Sequence, residues 1–225
     1  MTELEAIRQR HSVRAYQDRK LEPEKIEALN MMIREVNERG KLHLQLLPDA
    51  GKTFTRLLNK AMGLGSAPSV IACVGPDDET LEERIGYYGE KLVLAAQAMG
   101  LNTCWAGTFS RGNIPAEVGT GERLVLVIAI GYGATQGKVR KSKTPEQVSS
   151  APAERPEWFD FGVELALLAP TAVNQQRFQL TLREDGSVSV TDKGGVMSRV
   201  DLGIVKYHFE VGARAKGREI SMMGG

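Results

Sequence analysis

The stretch that decides the fold is LAPTAVNQQRFQLTL, residues 168–182. It begins like the end of an apolar helix and finishes like a strand, and the join contains a proline, a threonine, an asparagine and two glutamines. A plain turn would use Gly or Asp. Capping of the helix end by Asn174 explains one amide, but not the three polar groups of Thr171, Asn174 and Gln176. Uncharged donors and acceptors of this kind suit the edge of a heterocycle with carbonyl and ring nitrogen atoms.

Outward from this stretch, hydrophobic periodicity and stop signals predict helices alternating with strands. A helix beginning at Pro156 precedes the stretch, a hairpin over 177–192 completes it, and a final helix runs from Asp201, as N-cap, to Gly217. The segment 132–156 lacks an apolar pattern and is predicted to be a linker or long loop. The preceding part is predicted to contain helices over 2–10, 23–40, 54–62 and 79–100, a strand and turn over 42–51, and strands over 69–75 and 123–131. The last of these strands is apolar enough to be buried on both faces.

Composition and charge exclude several classes of protein. The 225 residues carry a net charge of +1, which gives no attraction to nucleic acid or membranes. The two cysteines lie in or beside apolar segments, and we expect a reduced, cytoplasmic protein without disulfides. The three histidines have no metal-ligand spacing with those cysteines, a nucleophile elbow is absent, and GYGATQGK (131–138) lacks the spacing of a phosphate-binding loop.

Two pairs of segments resemble each other in the same order along the chain. Residues 36–51 can be laid over 173–186 with one insertion, and 86–100 share their bounding glycines with 203–217 at equal spacing. Together they predict a degenerate internal duplication with halves 1–145 and 156–225, packed as one globular unit. Two unrelated helix–strand units are the alternative.

Three further motifs are candidates for ligand binding. In RHSVRAY (10–16), Arg10, Ser12 and Arg14 alternate, so an extended backbone points them to one side, where two guanidinium groups and a hydroxyl suit a phosphate. A solvated basic turn is the alternative. KVRKSKTP (138–145) is a second basic cluster whose Lys141 and Lys143 could close on the same anion. In TCWAGTF (103–109), Trp105 could lean on a flat ring, although an ordinary buried strand with a core Trp is the favoured interpretation.

Taken together, RHSVRAY, GLNTCWAGTF, a buried strand ending in IGYG, and APTAVNQQRF resemble the FMN-dependent nitroreductase family over nearly the whole chain. The resemblance implies an α+β, nitroreductase-like fold, with mixed or antiparallel sheets flanked by helices. The amide motif, APTAVNQQRF (169–178), occurs late in the chain, and its early copy keeps only Asn37. This order resembles the branch of the family in which one chain carries two halves that imitate the usual dimer. Such a chain has a pseudo-twofold axis.

The resemblance also implies a set of FMN contacts. The phosphate would be held by the first basic motif and the late lysines, His11 would contact the flavin, and the amide motif, from Ala169 onward, would hold the ring. The implied cofactor-binding residues are Arg10, His11, Ser12, Arg14, Trp105, Ala106, Gly107, Thr108, Lys141, Lys143, Pro170, Thr171, Ala172, Asn174 and Gln176. Arg177 and Phe178 replace the family's Pro-Trp, which changes the substrate side of the pocket.

The chemistry that the resemblance implies belongs to the flavin. NAD(P)H would reduce the flavin N5, and a nitro compound, quinone or similar small molecule would accept the electrons, with no catalytic side chain or metal required. The phosphate and amide motifs each occur once, so we expect a single FMN per chain and a monomer as the minimal unit. A flavin-binding sensor or carrier without turnover is the alternative.

Overall fold

A computed structural model describes residues 1–50, 53–54, 63–64, 67–152 and 154–223 of the chain. The fold is α+β, as the sequence predicts. The helices are α1 (Glu3–Gln9), α2 (Pro23–Gly40), α3 (Leu81–Ala98), α4 (Pro145–Val148), α5 (Glu157–Leu167) and α6 (Ser198–Ala215). The strands are β1 (Gln45–Leu47), β2 (Ser69–Pro76), β3 (Asn102–Ala106), β4 (Glu122–Gly131), β5 (Ser149–Ser150), β6 (Phe178–Leu182) and β7 (Val188–Asp192).

The chain divides into two compact units that interleave along the sequence. The first comprises residues 1–9, 82–91 and 140–225, and the second comprises 10–81 and 92–139. Helix α3 therefore contributes to both units. The halves 1–145 and 156–225 concern repeated sequence rather than this division, and they stay a prediction.

The second unit is built on a four-stranded antiparallel sheet in the order β1-β2-β4-β3. Residues 124–131 of β4 are all buried, which confirms the strand with two covered faces. Helix α2 has Pro23 in its first turn and buries Leu29, Ile33 and Val36. In the last turn of that helix, the Asn37 amide bonds both backbone groups of Leu44, at 2.8 and 3.0 Å, so Asn37 stabilises the connection from α2 to β1.

The first unit combines a three-stranded sheet with helices α5 and α6. Strand β5 pairs in parallel with β6, and β6 pairs antiparallel with β7, which makes this sheet mixed. Helices α5 and α6 approach closely where a Cβ on Gly212 would lie 2.7 Å from the Cα of Gly162. The rings of Phe159 and Phe209 meet edge to face beside this contact, with centroids 5.7 Å apart.

A second glycine contact in the same unit is reciprocal. A Cβ on Gly86 of α3 would lie 2.0 Å from the carbonyl oxygen of Val200, and a Cβ on Gly203 of α6 would lie 2.0 Å from that of Glu83. Each glycine thus faces the residue three positions before the other. Gly86 and Gly203 are also the first residues of the two segments that the sequence aligns.

Three sequence-based expectations need correction or comment. The segment 132–156 is not without structure, because α4 begins there with a capping box between Thr144 and Gln147 and leads directly into β5. The final helix begins at Ser198 with Met197 as N-cap, so Asp201 lies within the helix. The predicted helix over 54–62 lies almost wholly outside the described residues. In the part of the chain that the structure describes, no helix is long and apolar enough to cross a membrane.

Candidate functional site

In the second unit, the first basic motif lies along the edge of the sheet. Ser12 forms a parallel bridge with Thr103 of β3, and the Val13 N–H donates to the Thr103 carbonyl at 3.0 Å. Backbone pairing keeps this segment extended, and alternation then directs Arg10, Ser12 and Arg14 to one side. Arg10 is 4% exposed. Ser12 is half-buried and Arg14 is exposed, so the motif passes from the interior to the surface.

These three side chains influence the ionisation of the Cys104 thiol on the neighbouring strand. Burial raises the pKa of Cys104, while the positive charges of Arg14 and Arg10 and a hydrogen bond from Ser12 act in the opposite direction. Alternation along the extended segment predicts that these two cations and the hydroxyl share one side. Donors of this kind on one side of a strand can bind an anion bidentately.

The loop after β4 runs against the same motif. Gly137 has a φ of +77°, and a Cβ there would lie 2.7 Å from the His11 Cβ and 3.2 Å from the Ser12 carbonyl oxygen. Only a glycine backbone fits so close to this motif. Lys138, the next residue, is exposed. It is not among the residues that the sequence predicts to bind the anion, which are Lys141 and Lys143 in this segment.

TCWAGTF forms β3 and the turn that follows it. Trp105 pairs with Ile128 of β4 and is half-buried, which fits the interpretation as an ordinary strand. Ala106 ends the strand and is buried, whereas Gly107 and Thr108 are exposed beyond it. The exposed backbone at 107–108 is the part of this motif that is available to a ligand.

In the first unit, the late basic segment is tied to the amide motif. The Arg140 guanidinium donates to the carbonyls of Leu167 and Ala169 at 3.1 and 2.6 Å, and thereby caps the end of α5. The Asn174 Nδ2 donates to the Lys141 carbonyl at 2.7 Å. The structure thus brings Lys141 to the motif that the sequence assigns to the flavin ring.

Gln176 makes the largest number of these hydrogen bonds between the two segments. Its Oε1 accepts the Lys143 N–H at 2.8 Å, and its Nε2 donates to the Ser142 hydroxyl at 2.9 Å and the Leu167 carbonyl at 3.0 Å. The Lys143 ammonium donates to the Gln176 carbonyl at 2.7 Å. Gln176 is 2% exposed, and both amide hydrogens are donated to the protein. Its contacts in the structure are those of a residue that fixes the segment, and capping of α5 falls to Gln176 and Arg140, not to Asn174.

The backbone of the amide motif is unusual. Val173, Asn174 and Gln176 have φ of 46°, 56° and 44°, in the left-handed region that non-glycine residues seldom adopt. Val173 is β-branched and 86% exposed, so burial of its own side chain does not compensate this conformation. Of the other predicted ring contacts, Pro170 is buried, and Thr171 and Ala172 are half-buried. The Thr171 hydroxyl accepts the Gln176 N–H at 3.1 Å.

One residue of this site escaped the sequence analysis. The Asp201 carboxylate, on the first turn of α6, accepts the Ala172 N–H at 2.9 Å and the Gln175 amide at 2.8 Å. Burial raises its pKa to about 6, the nearby charge of Asp192 acts in the same direction, and the bonds from Gln175 and Ala172 oppose the rise. An acidic residue at a helix start is ordinarily a cap or a dipole partner. The sequence carries no signal of the longer-range role.

Within the described residues, no group of three or more His, Cys, Asp or Glu side chains could hold a metal ion. The chemical groups gathered at the two motifs are hydrogen-bond donors, amides and cations. The cations and the hydroxyl of the second unit can bind an anion, and the amides of the first unit can bind a polar ring.

Comparisons with known proteins identify the family. Residues 3–213 match the family described as "Putative TM nitroreductase". The structure of a protein described as a putative nitroreductase from Thermotoga maritima matches with a TM-score of 0.70 and 25% identity, covering 97% of this chain and 87% of that one. A putative nitroreductase in complex with FMN from Desulfovibrio desulfuricans matches with a TM-score of 0.52 and 21% identity, covering 69% of this chain and 98% of that one.

No curated protein matches the chain. The family match nevertheless covers nearly all of the residues on which the two motifs and both sheets are built. The chain belongs to this nitroreductase family.

Proposed function

We propose that this protein is an FMN-dependent oxidoreductase, which transfers electrons from NAD(P)H through the flavin to a nitro compound, a quinone or a similar small acceptor. The observation that carries the proposal is the backbone pairing of Ser12 and Val13 with Thr103, which keeps the segment extended and so directs Arg10, Ser12 and Arg14 to one side. Family membership and the FMN complex of the Desulfovibrio relative support the choice of cofactor.

The residues present fit an FMN phosphate. Two guanidinium groups and a hydroxyl form a donor set suited to a phosphate, and Gly137 leaves no space for a side chain against this motif. In the proposal, Arg10, Ser12 and Arg14 hold the phosphate, and the exposed backbone at 107–108 and the segment 170–174 contact the ring. Lys141 and Lys143 support the amide segment through their bonds to Asn174 and Gln176.

FMN would supply hydride and electron transfer when bound, so this chain needs no nucleophilic side chain. The protein's own part is to bind and orient. Asn174 is exposed and has one amide hydrogen engaged with the Lys141 carbonyl, so its carbonyl oxygen remains available to a donor on the ring. Gln176 acts by holding the segment 142–143 in place.

The reciprocal glycine contact supports an internal duplication as the origin of the chain. Gly86 and Gly203 occupy matching positions in the aligned segments, and each meets the residue three positions before the other. Such reciprocity is expected of a self-complementary contact between two copies of one element. We therefore propose that the chain imitates a dimer within one polypeptide and binds one FMN.

The phosphate assignment is tested by Arg14→Ala. A charge-assisted contact contributes about 1.5–3 kcal/mol, so the FMN dissociation constant, measured by fluorescence quenching, should rise about ten- to a hundredfold. Arg34→Ala is the matched control, because Arg34 is an exposed arginine on α2. Equal affinities in the two variants would contradict the assignment.

Turnover and stoichiometry need separate measurements. We expect NAD(P)H to bleach the bound flavin and a quinone to restore its colour. A flavin that binds but does not respond would instead indicate a sensor or carrier. Extracted flavin should equal the protein in moles, and two flavins per chain would contradict the single site.

A further inference from the structure

The amide motif cannot owe its shape to local preference. Val173, Asn174 and Gln176 all lie in the left-handed region, although none is glycine. Such conformations persist only where surrounding contacts determine them, and they concentrate at ligand sites. Contacts from outside the motif therefore determine its backbone conformation.

Asp201 holds the first part of the motif from α6. Both of its carboxylate oxygens lie within hydrogen-bond distance of the Ala172 N–H, at 2.9 and 3.1 Å. Its Oδ2 also accepts the Gln175 Nε2 at 2.8 Å. The carboxylate is 8% exposed, so water competes little for these bonds. Asp201 thus bonds Ala172 and Gln175, the residues on either side of Val173 and Asn174.

Gln175 also links Asp201 to the loop that contains Val196. The same Nε2 donates its second hydrogen to the Val196 carbonyl at 2.8 Å. On the other side of the amide, a Cβ on Gly195 would lie 2.2 Å from the Gln175 Oε1, so the amide fits tightly against glycine backbone. Rotation of the Gln175 amide would turn its oxygen toward the Val196 carbonyl. The bonding pattern therefore requires an acceptor at the Oδ2 of Asp201.

We propose that Asp201 is a positioning residue for the flavin, which sets the backbone of 172–175 so that Asn174 and its neighbours face the ring. The assignment rests on the proposed function. The Asp201 carboxyl group acts in its ionised form, because both of its oxygens are needed as hydrogen-bond acceptors.

The ionisation of Asp201 supplies a readout that a merely structural residue lacks. Its pKa is raised to about 6, mainly by burial and further by Asp192. Asp192, whose oxygens accept the Gly194 N–H and the Ser198 hydroxyl, is the charged group that faces it from the β7 side. From the amide motif it meets the neutral Gln175 side chain. Protonation of either oxygen removes one of the two acceptors that the Ala172 N–H and the Gln175 amide use, so these bonds should weaken as the pH falls through about 6.

The test compares FMN dissociation constants of the wild-type protein and D201N from pH 5 to 8. The phosphate of FMN itself titrates near pH 6. Its contribution cancels in the ratio of the two constants. We expect the variant to bind about tenfold more weakly at pH 8 and about equally at pH 5. Asp185→Asn is the matched control on the β6–β7 turn, where the residue is exposed, and its ratio should stay near one.

Two results would overturn the assignment: a ratio near one throughout, or a tenfold ratio that does not change with pH. If D201N does not fold, Asp192→Asn keeps the carboxylate and removes the neighbouring charge, which lowers the pKa of Asp201. FMN should then bind more tightly than in the wild type only around pH 6, and an unchanged profile would overturn the assignment. Absence of FMN binding by the wild type would instead overturn the proposed function.

Discussion

Gly203→Ala adds one methyl group at the crossing of α3 and α6. The added Cβ would lie 2.0 Å from the Glu83 carbonyl oxygen and 2.6 Å from the Tyr87 nitrogen. Both neighbours are backbone atoms of a helix, so no side-chain rotation relieves the overlap and the two helices must move apart by about 1 Å. Overpacking of this kind costs about 3 kcal/mol, and the better helix propensity of Ala returns about 1 kcal/mol. We expect a net loss of about 2 kcal/mol.

Thermal and urea unfolding measure this loss. For a chain of this length it corresponds to a fall in Tm of about 4–8 °C. The reciprocal contact predicts a similar loss for Gly86→Ala, and a double variant less destabilised than the sum, because separation of the helices relieves both overlaps. Gly112→Ala is the control, since nothing lies within 4 Å of its added Cβ. Wild-type stability of Gly203→Ala, or strict additivity in the double variant, would refute the reasoning.

Three further predictions concern stability. The pKa of Asp201 rises from 3.8 to about 6 on folding, so the stability that its protonation gives the folded state is complete below pH 3.8 and is lost as the pH rises through 6. At 1.36 kcal/mol per pKa unit, the unfolding free energy of the wild type, measured by urea titration, should fall by about 3 kcal/mol over this range, and that of D201N should not. Equal profiles would contradict this prediction. His208 bonds the Leu165 carbonyl and Glu90 at 3.0 and 2.9 Å. His208→Leu should therefore cost about 3–5 kcal/mol, because the buried Glu90 carboxylate loses this bond, and stability should recover in part when Glu90 is also replaced by Met. A harmless single variant would count against this prediction. Val173 has a φ of 46°, so Val173→Asn should raise the unfolding free energy by about 1 kcal/mol, whereas Val196→Asn, at an exposed position of ordinary φ, should not; no gain in the first would show that Val173 is unstrained.

Most of the regular elements follow from local signals in the sequence. Helix α2 has its first-turn proline at Pro23, and β4 is a continuous apolar run, so each element carries its own local signal. The extended course of the segment 10–14 is likewise visible in its alternating Arg10, Ser12 and Arg14, because alternation along an extended segment fixes the side to which side chains point. The glycines at 86 and 203 were visible as a repeat.

The contacts between residues that are distant in the sequence are visible in the tertiary structure alone. Nothing local shows that Asp201 bonds Ala172, that Gln176 is buried against Lys143, or that Gly137 packs on His11. The short helix α4 and strand β5 also escaped the sequence analysis, since a two-residue strand exists through its pairing with β6. Local propensity and periodicity specify an element, whereas the partner of a polar side chain or glycine is set by which segments the fold brings together.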